Sequence, residues 1–205
     1  MLSFPITPMT YDQLDGMSRP YSADQPEAIT WRFYDTQSLA SNWTAASFFA
    51  APNADITLSN INNAAGQLPA DQYFLIQSIQ ADFLIAAAQN DNAATQQIND
   101  LMQIMLGARA IVEVSVGSKL YLQAPLSCFH ATGGIDGFAA GTPAANAIVN
   151  VGQNWWADGD FHVDGGILLP PRQSYTVTVR GVAAALVATR QLRLTMGGVL
   201  YRRVL

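Results

Sequence analysis

Residues 174–180 read Ser-Tyr-Thr-Val-Thr-Val-Arg, and residues 191–196 read Gln-Leu-Arg-Leu-Thr-Met. In both stretches apolar and polar side chains alternate strictly, which is the period of a strand with one buried face. Most apolar positions of the first stretch are valine, whose branched side chain packs well on a pleated surface. These two stretches therefore predict the closing strands of an all-β fold.

The same alternation recurs upstream, where Ile29, Trp31 and Phe33 oppose Thr30 and Arg32. Eight or more strand candidates result, and an α/β fold would need helices between most of them. The pattern predicts an all-β fold, an antiparallel two-sheet sandwich of jelly-roll type with about eight strands. The strand candidates are residues 29–35, 55–61, 73–85, 110–116, 119–123, 167–169, 174–187 and 190–204. Gly197-Gly198 predicts a bulge in the last of them.

One segment has a helical period instead. From Ala93 to Leu106 the apolar residues are three or four positions apart, which predicts a single inserted amphipathic helix with a core-packing stripe. The stripe is Ile98, Leu101, Met102 and Met105, and the outer face is Gln96, Gln97, Asn99, Asp100 and Gln103.

Length and composition predict one domain, residues 29–205. Residues 1–28, which contain four prolines, are predicted to be an extended arm, with disorder as the alternative. Residues 130–153 are rich in glycine, alanine and asparagine, which predicts a long loop. The amino terminus shows no signal-peptide pattern, and no apolar run reaches the ~18 residues that span a bilayer. The expectations are no signal peptide and no transmembrane segment.

The charges are unevenly distributed along the chain. Residues 165–205 contain six arginines and no acid, so residues 1–164 hold the other four basic residues and all fifteen acids. Charged residues make up only 12% of the chain, against about 25% in an average domain. This separation predicts complementary surfaces that meet in an assembly. The predicted assembly surface consists of Arg180, Arg190, Arg193, Arg202 and Arg203. The net charge of −5 argues against nonspecific nucleic-acid binding, and no sequence-specific nucleic-acid partner is expected.

The sequence offers little material for catalysis. Its two histidines, His130 and His162, lie far apart in sequence, and no histidine cluster or phosphate-binding loop accompanies them. Cys128 lies in an apolar setting, Leu126-Ser127-Cys128-Phe129, and is interpreted as a small core hydrophobe. The expectation is a protein that is not an enzyme and needs no cofactor.

Two ligand sites remain as alternatives. Asp158 and Asp160 resemble the opening of a calcium loop, and with Asp164 they could hold a structural Ca²⁺, although the closing glutamate is missing and Leu169 stands in its place. The alternative interpretation is a structural turn in which the aspartates bind backbone amides. Trp155 and Trp156 stand beside this turn and could form a sugar platform. This is the basis of a second hypothesis, a carbohydrate- or receptor-binding β-sandwich module.

The arrangement as a whole resembles the single jelly-roll capsid (coat) proteins of icosahedral viruses. The features that carry the resemblance are the proline-containing arm, about eight strands, the inserted helix and the long glycine-rich loop before the last strands. The segment Gly166-Ile-Leu-Leu-Pro-Pro-Arg-Gln-Ser-Tyr-Thr-Val-Thr-Val is similar to the penultimate-strand region of tailless-bacteriophage coat proteins.

The resemblance implies a structural capsid subunit without catalysis, assembled in the host cytoplasm and located in the virion. The implied partners are copies of itself, as a trimer or a higher homo-oligomer, together with other capsid proteins. Many such coats have a basic arm that meets the genome, but Arg19 is the only basic residue among residues 1–28. If the particle has an internal membrane, the carboxyl-terminal arginines could contact its anionic headgroups.

Overall fold

The computed structural model describes residues 26–52, 55–61, 66–84, 100, 103–104, 108–129, 135–136, 152–153, 160–183, 185–186 and 188–203. Within this part of the chain no helix has the length and hydropathy needed to span a membrane.

The described chain is all-β. Its ten strands are β1 Pro26–Leu39, β2 Ala45–Phe48, β3 Gln72–Leu84, β4 Ile111–Val116, β5 Lys119–Pro125, β6 Ile135–Asp136, β7 Gly152–Gln153, β8 Phe161–Leu169, β9 Tyr175–Arg180 and β10 Arg190–Arg203. Eight of them form two four-stranded antiparallel sheets, sheet A in the order β1-β10-β3-β8 and sheet B in the order β2-β9-β4-β5. The prediction of an all-β two-sheet sandwich is confirmed.

The strand pairs are nested around the middle of the chain. β4 pairs with β5, β3 with β8, β2 with β9 and β1 with β10, so the sheets contain one long antiparallel ribbon. Two further ladders, β10 with β3 and β4 with β9, join adjacent turns of this ribbon within each sheet. The first and last of the described strands, β1 and β10, are therefore neighbours over fourteen paired residues on each.

The core lies between the two sheets. Alternate residues of the closing strands enter it, as the sequence predicted: Val177 and Val179 of β9, and Leu192, Leu194 and Met196 of β10, are fully buried. Complete burial of an aliphatic side chain of this size contributes about 1.5–3 kcal/mol. The core stabilises the sandwich because both sheets contribute side chains to one continuous cluster.

The predicted bulge in the last strand is confirmed. The register of β10 against β3 shifts between Gly197 and Gly198, where Gly197 pairs with Ser78 and Gly198 with Ile76. A Cβ atom on Gly198 would overlap the Leu75 carbonyl oxygen. Only glycine allows the two backbones to approach this closely.

The prediction of a strand at residues 55–61 is wrong. Asp55 Oδ1 accepts hydrogen bonds from the Thr57 amide (2.9 Å) and the Thr57 hydroxyl (2.6 Å), and the Leu58 and Ser59 amides donate to the Asp55 carbonyl oxygen. This local turn replaces the extended conformation. Ile56, an apolar residue of this stretch, is 71% exposed.

The interpretation of Cys128 as a core residue is also wrong. Residues Leu126–Phe129 form a 3₁₀ turn, in which positions three apart share one side. Leu126 and Phe129 are buried, and Cys128 is exposed.

Most of the predicted helix lies outside the described residues. Asp100, Gln103 and Ile104 lie in helical turns, and Gln103 is exposed as expected. Asp100, assigned to the outer face, is buried instead, because its carboxylate binds Arg190 of β10.

The predicted arm falls outside the described residues up to residue 25, and β1 begins at Pro26, three residues before the predicted strand. In the predicted loop 130–153, Ile135 pairs with Gln153 and Asp136 with Gly152.

Candidate functional site

Polar side chains collect on the outer face of sheet A, where adjacent strands bring them into one row. Across the sheet, Arg32 of β1 is opposite Gly197 of β10, Gly197 is opposite Ser78 of β3, and Ser78 is opposite His162 of β8. These positions alternate with core positions such as Phe33 and Met196, so they face away from the core. We call these residues, together with Gln80, Asp82, Asp160 and Arg193, the outer-face cluster.

Arg32 crosses the sheet above Gly197. Its Nη1 donates to Gln80 Oε1 (3.3 Å), and its Nη2 forms an ion pair with Asp160 Oδ2 (3.4 Å). The Ser78 hydroxyl donates to the same Asp160 oxygen (3.2 Å). A Cβ atom on Gly197 would be 2.6 Å from Ser78 Oγ and about 4 Å from Arg32. The absence of a side chain at Gly197 thus leaves the space that Arg32 and Ser78 use.

Arg193 of β10 occupies the neighbouring part of this face. Its Nε donates to Thr36 Oγ1 (3.1 Å), and its Nη2 donates to the Thr57 carbonyl oxygen (2.5 Å). The guanidinium lies 5.2 Å from the centre of the Tyr34 ring, a cation–π distance. The Tyr34 hydroxyl donates to the Ile56 carbonyl oxygen (2.5 Å). The loop at residues 55–61 is therefore attached to the outer face of sheet A.

The environment on this face changes the pKa of Asp82. Burial is the main cause that raises the pKa of Asp82 above its usual value of 3.8, and the negative charge of Asp160 adds to this effect. The charges of Arg193 and Arg32 act in the opposite direction. The outer-face cluster therefore contains two guanidinium groups and two carboxylates, one of which gains protons more readily than an exposed aspartate.

The groups of this cluster are suited to hydrogen bonding. Guanidinium, amide, hydroxyl and carboxylate groups on a sheet face form directional hydrogen bonds with a polar partner surface or a hydroxyl-rich ligand. Arg32 is the most available of them, since 59% of its side chain is exposed and both of its contacts are long.

The five arginines of the predicted assembly surface fall into two groups in the structure. Four of them bind acceptors of their own chain. Arg180 Nε donates to Glu113 Oε2 (2.7 Å), Arg190 Nη2 lies 2.6 Å from Asp100 Oδ2, and Arg202 Nε donates to Glu27 Oε2 (2.7 Å). Arg193 binds the uncharged groups named above. Arg203, the fifth, is paired along the backbone with Pro26.

These pairs give a physical explanation for the uneven charge distribution. The nested strand order brings the basic closing strands next to acidic residues of earlier strands, so much of the complementarity is satisfied within one chain. The side chains of Arg180 and Arg202 remain 61% and 46% exposed. A contact between these arginines and a neighbouring subunit stays a prediction.

The predicted ligand residues are only partly described. Trp155, Trp156 and Asp158 lie outside the described residues. Asp160 belongs to the outer-face cluster, and Asp164 is exposed on β8. Within the described ranges no three histidine, cysteine, aspartate or glutamate side chains come close enough to hold a metal ion. The structural Ca²⁺ and the sugar platform stay predictions.

Two residues with specific roles were not identified from the sequence. Asp35 lies on the core side of β1 and is buried, and its Oδ2 accepts hydrogen bonds from the Phe49 amide (2.7 Å) and Gln37 Nε2 (2.9 Å). It anchors Phe49, a buried residue with a φ of 59°. Asn60 binds the free edge of β1. The only sequence signal for Asp35 was an acid at an apolar position of an alternating strand.

No family model matches the chain, and no similarity to a curated protein or to a solved structure is found.

Proposed function

We propose that this chain is a structural subunit that self-assembles, a capsid-type protein built on a jelly roll. The observation that carries the proposal is the nested pairing of the strands. One long antiparallel ribbon, folded over so that its successive pairs fall in two facing sheets, is the architecture of a jelly roll with two Greek keys. This supports the assignment made from the strand count and from the resemblance to coat proteins.

The composition supports assembly as the role. Only 12% of the residues are charged, and within the described residues the cations of the closing strands are engaged largely by their own chain. Surface that is poor in charge is suited to burial against copies of the same protein. In a closed homo-oligomer, symmetry brings equivalent surface patches of the copies into contact, and further contacts between oligomers extend them into a shell.

Mass and shape together test this proposal. Multi-angle light scattering on purified protein, followed by negative-stain microscopy of the same fractions, should show complexes of many 22.1 kDa copies with a regular outline. A single species of subunit mass at millimolar concentration, with no particle in the micrographs, would contradict it.

A second candidate is a carbohydrate-binding module. The outer-face cluster favours it, because Arg32, Gln80, Ser78 and Asp160 present hydrogen-bonding groups of the kind that bind sugar hydroxyls. Asp160 is also four residues from Trp156 in the sequence. A glycan array with the wild type, Arg32→Ala and Trp156→Ala tests this function: binding that either variant loses supports it, and no binding to any glycan excludes it.

A further inference from the structure

At one point along the edge strand β1, a single residue forms hydrogen bonds with the backbone groups that point away from the sheet. Asn60 Nδ2 donates to the Arg32 carbonyl oxygen (2.7 Å), and the Asn60 amide donates to the Tyr34 carbonyl oxygen (3.2 Å). The Tyr34 amide donates to Asn60 Oδ1 (2.9 Å). Asn60 therefore takes the place that one residue of a further strand would take beside β1.

These bonds show which backbone groups of β1 point away from the sheet. β1 pairs with β10 without a register shift from Pro26 to Leu39, and backbone directions alternate along such a strand. Since Tyr34 directs its amide and its carbonyl outward, Ala28, Thr30 and Arg32 do the same. Among the residues that the structure describes, Asn60 is the only hydrogen-bonding partner on this side of β1.

The part of β1 before the Asn60 contact has the character of an interface. Ala28 and Thr30 are exposed on the outer side, and Trp31, on the core side, is 41% exposed at the flank of the sandwich. An exposed edge with a large apolar side chain beside it is a surface to which another strand can add.

We propose that residues Pro26–Arg32 pair with the same residues of a second copy of this chain, antiparallel and about a twofold axis. The inference deepens the proposed self-assembly, on which it rests, by naming one contact. In the register that places Ala28 opposite Thr30 of the second copy, all outward groups meet as hydrogen-bonded pairs, about six bonds in all. Trp31 then lies diagonally across from Ile29 of the second copy, within reach of its side chain.

The ends of β1 fit this register. Arg32 is then opposite Pro26 of the second copy. A proline has no amide hydrogen to donate, and the Arg32 carbonyl oxygen needs no donor because Asn60 Nδ2 already binds it. The pairing ends beyond Pro26 of the second copy, because Asn60 already binds the next outward position of β1, Tyr34. A second copy of this chain is therefore the partner that matches the hydrogen-bonding pattern of this edge as the described residues form it.

A proline substitution tests the pairing. Thr30→Pro removes an outward amide without removing a bond to β10, and an edge strand tolerates proline at such a position. We expect an unchanged urea midpoint and self-association that is weaker by at least about tenfold. Ser38→Pro, which removes an outward amide on the far side of Asn60, is the matched control and should leave self-association unchanged. Equal association of both variants and the wild type would overturn the proposal.

Cross-linking gives a second readout, for use also if a proline variant does not fold. In this register Ile29 is opposite itself at about 4.5 Å between Cα atoms, within the range of a disulfide. In a Cys128→Ser background, Ile29→Cys should form a covalent dimer under mild oxidation much faster than Ala28→Cys. Equal rates would contradict the register.

The outcomes separate this proposal from the proposed function. Large particles with no Ile29→Cys dimer would overturn the edge pairing and leave the capsid-type function standing. A cross-linked dimer without larger particles would support the pairing and contradict the capsid-type function. A monomer in every assay would overturn both.

Discussion

Gly198 is the residue at which the fold leaves least room for a side chain. Its Cα faces the Leu75 carbonyl oxygen at the bulge of β10, and this oxygen belongs to the backbone and cannot rotate away. We expect Gly198→Ala to lower the free energy of unfolding by about 3 kcal/mol or more, because the central strand pair must separate locally.

The control for this substitution is Gly165→Ala. Gly165 has a φ of 76°, but no atom lies within 4 Å of an added Cβ, so only the backbone strain of about 1–2 kcal/mol should appear. Urea denaturation of both variants measures the difference. An equal loss in the two variants would contradict the close approach at the bulge.

Asp82 gives a pH dependence with a definite sign. Because the pKa of Asp82 is raised in the folded state, the folded protein binds this proton more tightly than the unfolded chain. Its contribution to stability is therefore full below the usual pKa of 3.8 and is lost as the pH rises through the raised value.

We expect Asp82→Asn to remove this fall in the free energy of unfolding just above pH 3.8. Denaturation of the wild type and the variant at several pH values between 3 and 7 measures the effect. Parallel pH profiles for the two proteins would contradict the raised pKa.

At the scale of elements, the pair between Asp100 and Arg190 fastens the segment before β4 to the start of β10. The side chain of Asp100 is only 2% exposed, and Arg190 Nε and Nη2 lie 2.7 and 2.6 Å from its Oδ2. We expect Arg190→Ala to lower the free energy of unfolding by about 3 kcal/mol, because it leaves a buried carboxylate without its cation.

Arg180 and Glu113 form the matched surface pair. They have the same 2.7 Å geometry, but 61% of the Arg180 side chain is exposed. Arg180→Ala should therefore cost no more than about 1 kcal/mol. Urea midpoints compare the two variants, and a similar loss at both sites would show that burial of Asp100 does not govern the effect.

The sequence was most informative where the two-residue period was long and undisturbed. The buried faces of β9 and β10 were predicted correctly, because each strand alternates over at least six residues and one face of its sheet meets the core. The prediction failed at residues 55–61, where alternation is present but the side chain of Asp55 stabilises a turn. A local hydrogen bond outweighed a short apolar pattern there.

The candidate site was much less predictable than the strands. Arg32, Asp82, Asp160 and Arg193 come from four distant parts of the sequence, and only the strand order brings them onto one face. The role of Asn60 depends in the same way on where its loop meets β1. The partners of the closing arginines could not be predicted either, because Glu27, Asp100 and Glu113 are far from them in the sequence and become their neighbours only in the folded chain.

At the scale of the whole molecule, the basic end of the chain is folded back onto its acidic part. The ion pair of Arg202 with Glu27 is exposed and should contribute little to folding. We therefore expect Arg202→Glu together with Arg203→Glu to weaken assembly and to lower the free energy of unfolding by no more than about 1 kcal/mol.

Sedimentation velocity and urea denaturation of the double variant measure both effects. Glu113→Gln removes the exposed ion pair of Arg180 within the chain without reversing an arginine, and it should leave assembly intact. A double variant that is unfolded would show that these arginines serve the fold of the subunit instead.

We propose that this β-sandwich assembles with copies of itself. The mass of the purified wild-type protein in solution, measured by multi-angle light scattering over a wide concentration range, tests it most directly. We predict a discrete species many times heavier than the 22.1 kDa chain, formed without any other component. A constant mass of one chain up to millimolar concentration would contradict the claim.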